Sequence, residues 1–160
     1  MTREEVYRGV RGTMALYGGL FMKLVDTVGL EEAMAVHARL QEPYGDGLAR
    51  LLTERLKGDE MNMEAFREVY ISTSISGVEN IYEMTSNSFR VLGHQCPVYD
   101  GLRCAGLDHD TVRLMCTGAA KLLMGAFGRH YPMIESGLTF RDKADGYCVE
   151  WYKLNSSKVY

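Results

Sequence analysis

Between residues 3 and 28, apolar side chains fall at Val6, Val10, Met14, Tyr17, Phe21, Leu24, Val25 and Val28. That spacing keeps to one face of a helix with 3.6 residues per turn. Gly9, Gly12, Gly18 and Gly19 each lower the helix propensity by roughly 1 kcal/mol relative to alanine, so tertiary packing has to offset them. Gly29 ends the helix, as glycine does just past a helix C-terminus. A second helix is predicted over 30–41, with Leu30, Ala33, Met34, His37 and Leu40 on its apolar face. Pro43 and the Gly45-Asp46-Gly47 run predict a break. A short third helix follows with Leu48, Leu51, Leu52 and Leu56 on one side, ended by Gly58-Asp59. Asn62 predicts the N-cap of a fourth helix, with Met61 stapled on Phe66, ending near Gly77.

The second half has a different rhythm. Residues 80–85 and 88–92 read as two strands joined at Ser86-Asn87. Residues 93–108 read as a loop. Asp110 then caps a helix with Val112, Met115, Cys116, Ala119, Leu122, Leu123 and Ala126 on its buried face, closed by Pro132. Residues 137–142 and 147–153 form a last hairpin around a tight turn at 143–146. The sum is an α+β domain: N-terminal helices and a central helix packed on an antiparallel sheet of two hairpins. The 160 residues read as one domain, with a helical part over 1–77 and a hairpin-helix-hairpin part over 78–160.

Composition narrows the function classes. Apolar residues make 46% and charged residues 24% of the chain, as in ordinary globular proteins. The net charge of −3, with no basic stripe, disfavours nucleic acid as a partner. No stretch is long and apolar enough for a bilayer span, and no helix has the cationic face of a membrane-surface element. The first ten residues, MTREEVYRGV, lack the apolar run of a signal peptide, so the expected setting is cytoplasmic. There the four cysteines are expected as thiols, ligands or nucleophiles rather than disulfides.

Candidate chemistry centres on GHQCPVYDGLRC, residues 93–104. Pro97 biases Cys96 toward an extended backbone, and in an extended segment His94 points the same way as Cys96. An imidazole beside a thiol favours a nucleophilic thiolate, and the same pair suits a metal. Cys104 is a further ligand candidate, but H-x-C-x7-C is not a zinc spacing. On the last strand, alternation puts Cys148, Glu150 and Tyr152 on one face and Tyr147, Val149 and Trp151 on the other. A thiol, a carboxylate and a phenol in line suit a pocket wall; the plainer reading is a buried small Cys148 and a solvent-facing Glu150. Cys116 reads first as a core residue, His37 as a hydrogen-bonded core histidine, His130 as a helix cap, and His109 as exposed. No G-x-S-x-G, P-loop, G-x-G-x-x-G or H-E-x-x-H motif occurs.

The order CPVYDGL at 96–102, Cys116 within a helix, and HYPMIESGLTFRDKADGYCVEWY at 130–152 resembles the L-2-amino-thiazoline-4-carboxylic acid hydrolase-like family over residues 78–154. The resemblance implies hydrolytic opening of a five-membered C=N ring to give an N-carbamoyl-cysteine. Cys96, Cys116 and Cys148 are the matching positions. In one version a Cys96 thiolate attacks the ring carbon, with His94 as base and Glu150 as proton carrier. In the other, Cys96, Cys116 and Cys148 hold a metal, zinc or iron, that activates water. His94 and Cys104 lie outside the matching pattern.

The helical part followed by a cysteine-bearing hairpin is also similar to vinyl-reductase-like ligand-binding domains, which take small apolar molecules and sometimes zinc, although the glycine-rich spacing of that family is missing. The chain is therefore read as a hydrolase for a cyclic C=N substrate. The alternative is a non-enzymatic module for a small molecule or metal, which ten methionines and ten tyrosines suit. A homodimer through the glycine-bearing first helix is the third expectation.

Overall fold

The structure, a computed structural model, describes residues 2–73 and 80–155. Along them run α1 (Arg3–Val28), α2 (Leu30–Arg39), α3 (Glu42–Leu56) and α4 (Met63–Thr73). The strands β1 (Asn80–Met84) and β2 (Ser88–Gly93) follow, then α5 (Pro97–Cys104), α6 (His109–His130), β3 (Ile134–Thr139) and β4 (Cys148–Leu154). The strands form one antiparallel sheet in the order β1-β2-β4-β3. β4, last in the chain, thus lies between β2 and β3. The fold is α+β, with helices packed on the sheet, as the sequence predicts.

Local signals account for most element ends. Thr2 and Glu5 form a reciprocal capping box at the start of α1. Gly29, at φ 85°, closes α1 and opens α2 in a backbone conformation that a side chain would strain. Asn62 Oδ1 accepts the backbone N–H of Ala65 at 2.9 Å, the expected cap of α4. The Gly77 end expected for α4 lies outside the described residues.

Four expectations are corrected. The 93–108 loop contains α5: Pro97 sits at the helix start, where its missing N–H costs nothing, with extended Cys96 as N-cap. The expected break at 43–47 is the first turn of α3, with Pro43 near its start. The cap of α6 is Asp108, whose carboxylate accepts the Thr111 N–H at 2.7 Å, not Asp110. β3 begins three residues before the expected 137, because Ile134 already pairs with Leu154, which leaves a longer connection around the Lys143–Gly146 turn.

Two glycines inside these helices serve close packing. A Cβ on Gly101 of α5 would lie 2.5 Å from the Arg11 carbonyl oxygen and 2.6 Å from Met14 Cβ, both on α1. Gly45 faces the Leu123 carbonyl of α6 in the same way.

Two cores result. One gathers Leu52, Phe66, Phe89, Phe127 and Tyr152 between α3, α4, α6 and the sheet. The other gathers Phe21, Tyr99, Leu102, Val112 and Met115 among α1, α5 and α6, with His37 of α2 beside it. No described helix is long and apolar enough to cross a membrane.

Candidate functional site

A cavity of about 430 Å³ opens where the two cores meet. Leu48 of α3, Tyr70 of α4, Val91 of β2 and Tyr152 of β4 belong to the sheet-side core or pack on it, while Cys96 and Val98 pack on the helix-side core. Its volume lies in the range of small-molecule sites, and its walls are mostly apolar.

The sheet supplies the polar wall. Alternation along β4 turns Cys148, Glu150 and Tyr152 to the helices, and all three line the cavity, as the one-face reading predicts. Their register partners on β2, Gly93, Val91 and Phe89, lie on the same face. Glu150 Oε2 accepts the hydroxyl of Tyr70 at 2.7 Å and that of Tyr152 at 3.1 Å. Burial, reinforced by the neighbouring carboxylate, pushes both phenols well above their ordinary value, so they stay protonated donors. Among the described residues, no lysine, arginine or histidine pairs with Glu150.

Of Cys96, Cys116 and Cys148, two stand on the cavity wall, and Cys116 is not among its lining residues. Cys96 and Cys148 both line the cavity. Cys116, on α6, interacts electrostatically with both, and burial first, then these two thiols, pushes it up to about 12. Cys96 is also pushed up, by burial, against the opposing pull of the Tyr99 and Val98 N–H groups at the start of α5. A thiol in that position favours its protonated form. Among the described residues, no group of three or more histidine, cysteine, aspartate or glutamate side chains is arranged to hold a metal ion.

The His94–Cys96 pairing is not formed. β2 ends at Gly93, so His94 lies beyond the extended run that would align it with Cys96. Its ring instead packs on Tyr147, with centroids 4.9 Å apart, and no hydrogen bond joins it to Cys96 among the described residues. His94 does not line the cavity. Cys104 is exposed at the end of α5.

His37 is a core histidine, as predicted. Its Nε2 faces the Met115 carbonyl at 3.2 Å, so it must donate there, and Nδ1 then accepts the Tyr17 hydroxyl at 2.7 Å. His109 is half-buried rather than exposed: its Nδ1 lies 2.9 Å from the Tyr99 hydroxyl and its ring packs on Phe140.

Arg141 escaped the sequence reading. It is 3% exposed, and it joins two backbone segments, at 93–94 and at 144. Its guanidinium donates to the carbonyls of Ala144, Gly93 and His94, and its Nε donates to Cys148 Sγ at 3.4 Å. The cation also lies 4.6 Å from the centre of the Tyr99 ring. No pattern in the sequence marks it, because its partners are backbone carbonyls brought together only by the fold. Tyr70 was legible only as an apolar position of α4, although Tyr152 was already on the Glu150 face.

No protein-family model and no curated protein matches this sequence. The functional reading therefore rests on the cavity itself.

Proposed function

We propose that this protein is a small-molecule-binding domain whose ligand occupies the cavity between the two cores. One observation carries the reading: a mostly apolar cavity of about 430 Å³ whose walls also hold a carboxylate, two protonated phenols and two thiols. Few polar groups placed in an apolar recess give orientation, and the apolar walls give affinity. The low net charge and the absence of a cationic stripe support a small molecule over nucleic acid. A cytoplasmic setting, with its thiols reduced, belongs to the same proposal. The test is a thermal-shift screen with amphipathic and apolar compounds. A compound that raises Tm and is recovered chemically unchanged supports binding; no shift from any compound, at concentrations up to millimolar, rejects it.

A second reading, hydrolysis of a cyclic C=N ring as the resemblance to the aminothiazoline hydrolase-like family implies, is favoured by Cys96, Cys148 and Glu150 facing one space. In its simplest balanced form, water adds across the ring C=N bond: its oxygen bonds to carbon, and its proton passes through Glu150 to the ring nitrogen. The carbon–sulfur bond then breaks as Glu150 carries the proton of the new hydroxyl to the leaving sulfur, leaving a carbamoyl group and a free thiol. The raised Cys96 thiol and the displaced His94 favour this water route over thiolate attack. A zinc or iron site at Cys96, Cys116 and Cys148 finds no support in the arrangement of the described side chains. Turnover of an aminothiazoline by wild type, abolished in Glu150→Gln and kept in Cys96→Ser, is the expected pattern; full loss in Cys96→Ser restores the thiol as nucleophile.

The homodimer expected through α1 is supported by open space around Gly9, Gly12 and Gly19 and by the exposed Leu16 and Leu20. Sedimentation at high protein concentration tests it: a monomer throughout removes it.

A further inference from the structure

Charge sorts the cavity's ligands. Among the described residues that line it, Glu150 is the only one that carries a charge. Its Oε2 already takes both phenol hydroxyls, and no described residue donates to Oε1. A carboxylate in a recess with low polarity and without a cation of its own gains most from a cation brought by the ligand. The rings of Tyr44, Tyr70 and Tyr152 stand on the same walls, and aromatic faces attract cations as well. Tyr44 is fixed there by its hydroxyl, which donates to the Thr73 carbonyl at 2.9 Å.

An anion finds nothing comparable. No lysine, arginine or histidine lines the cavity among the described residues. Arg141 is the nearest candidate through its contact with Cys148, but its donors go to Ala144, Gly93, His94 and the Cys148 sulfur. A ligand carboxylate would be desolvated beside Glu150 with no partner, and both like-charge repulsion and burial oppose that.

We propose that the cavity selects a small organic cation that carries no carboxylate: an amidinium, isothiouronium or ammonium group set against Glu150, with its apolar body against Leu48, Val91 and Leu123. The proposal rests on the small-molecule reading and narrows it. For the hydrolase reading it has a sharp consequence, since the substrate becomes a cyclic isothiourea or amidine without the acid group that the family resemblance implies.

The experiment is calorimetric titration of wild type and Glu150→Gln with two matched pairs. Benzamidine and benzamide share a shape and differ in charge. 2-Amino-2-thiazoline and its 4-carboxylic acid differ by the carboxylate. Wild type is expected to bind the cation of each pair about tenfold or more tighter than its partner, the size of one well-formed charge-assisted contact. Glu150→Gln is expected to remove that preference by weakening the cation of each pair about tenfold or more. Equal or tighter binding of benzamide, or tighter binding of the 4-carboxylic acid, overturns the charge rule and leaves the small-molecule reading standing. No binding of any of the four to wild type overturns both. A thermal melt of Glu150→Gln checks that it folds; if it does not, the two pairs on wild type decide the matter alone.

Discussion

On the sheet side, the Phe66 ring sits among the rings of Tyr70, Phe89, Phe127 and Tyr152, with centroids 4.7 to 6.1 Å away. On the helix side, α1 and α5 meet through glycines, with Gly18 against Ala105 and Gly101 against Arg11 and Met14. One core is centred on a cluster of large rings. The other holds fewer clustered rings and brings two helices together at glycines. Large rings leave irregular gaps and bring polar tips. The cavity and its phenol-bound carboxylate accordingly lie along the ring-built side, while the helix side supplies Cys96 and Val98.

Removing the central ring should break the comparison most severely. Phe66→Ala is expected to cost about 3–5 kcal/mol, read from the urea midpoint, and to abolish ligand binding by letting Tyr70 and Tyr152 collapse. A loss of under 1 kcal/mol would show that the sheet-side core is loosely packed. Gly101→Ala acts on the other core. The added methyl meets backbone on α1 rather than a flexible side-chain end, so it is expected to cost about 1–3 kcal/mol while leaving affinity for cavity ligands within a factor of about two. An equal loss of stability and affinity would show that the two sides are not separable.

Acid gives a smaller lever. Burial holds His37 below its ordinary 6.5, so as pH falls the unfolded chain takes the proton first. Stability is complete above 6.5, declines as pH drops below it, and levels off past the folded-state value. The expected result is a flatter pH dependence of the urea midpoint in His37→Gln over pH 7.5 to 5; identical slopes would remove His37 as the cause. Thiol labelling is the gentlest probe. Exposed Cys104 should react first and Cys116, pushed up to about 12, last. A cavity ligand should slow Cys96 and Cys148 but leave Cys104 untouched, and uniform protection would place the ligand elsewhere.

Much of this was readable from the chain. Period-two alternation on β4 is a local property, and it put Cys148, Glu150 and Tyr152 on one face before any partner was known. The helices α1, α2 and α6 followed from period-3.6 spacing. What failed were features that depend on a distant element. Pro97 and Gly101 read locally as loop signals because the α1 backbone, which needs Gly101, lies far earlier in the chain. His94 and Cys96 share a direction only while the strand continues, and β2 stops at Gly93. Arg141 acquires its role from carbonyls on two segments, at 93–94 and at 144, and no local pattern encodes that.

Trp151 follows Glu150 on β4, so its indole lies on the opposite face of the sheet, laid over Gly137 of β3, where a Cβ would come within 2.6 Å of the ring. It is the chain's one tryptophan and is 37% exposed. The molecule thus carries a built-in optical reporter on the far side of the strand that walls the cavity. Its emission follows the pairing of β3 with β4 through unfolding, whereas a quencher carried by a cavity ligand would have the whole thickness of the sheet between it and the indole.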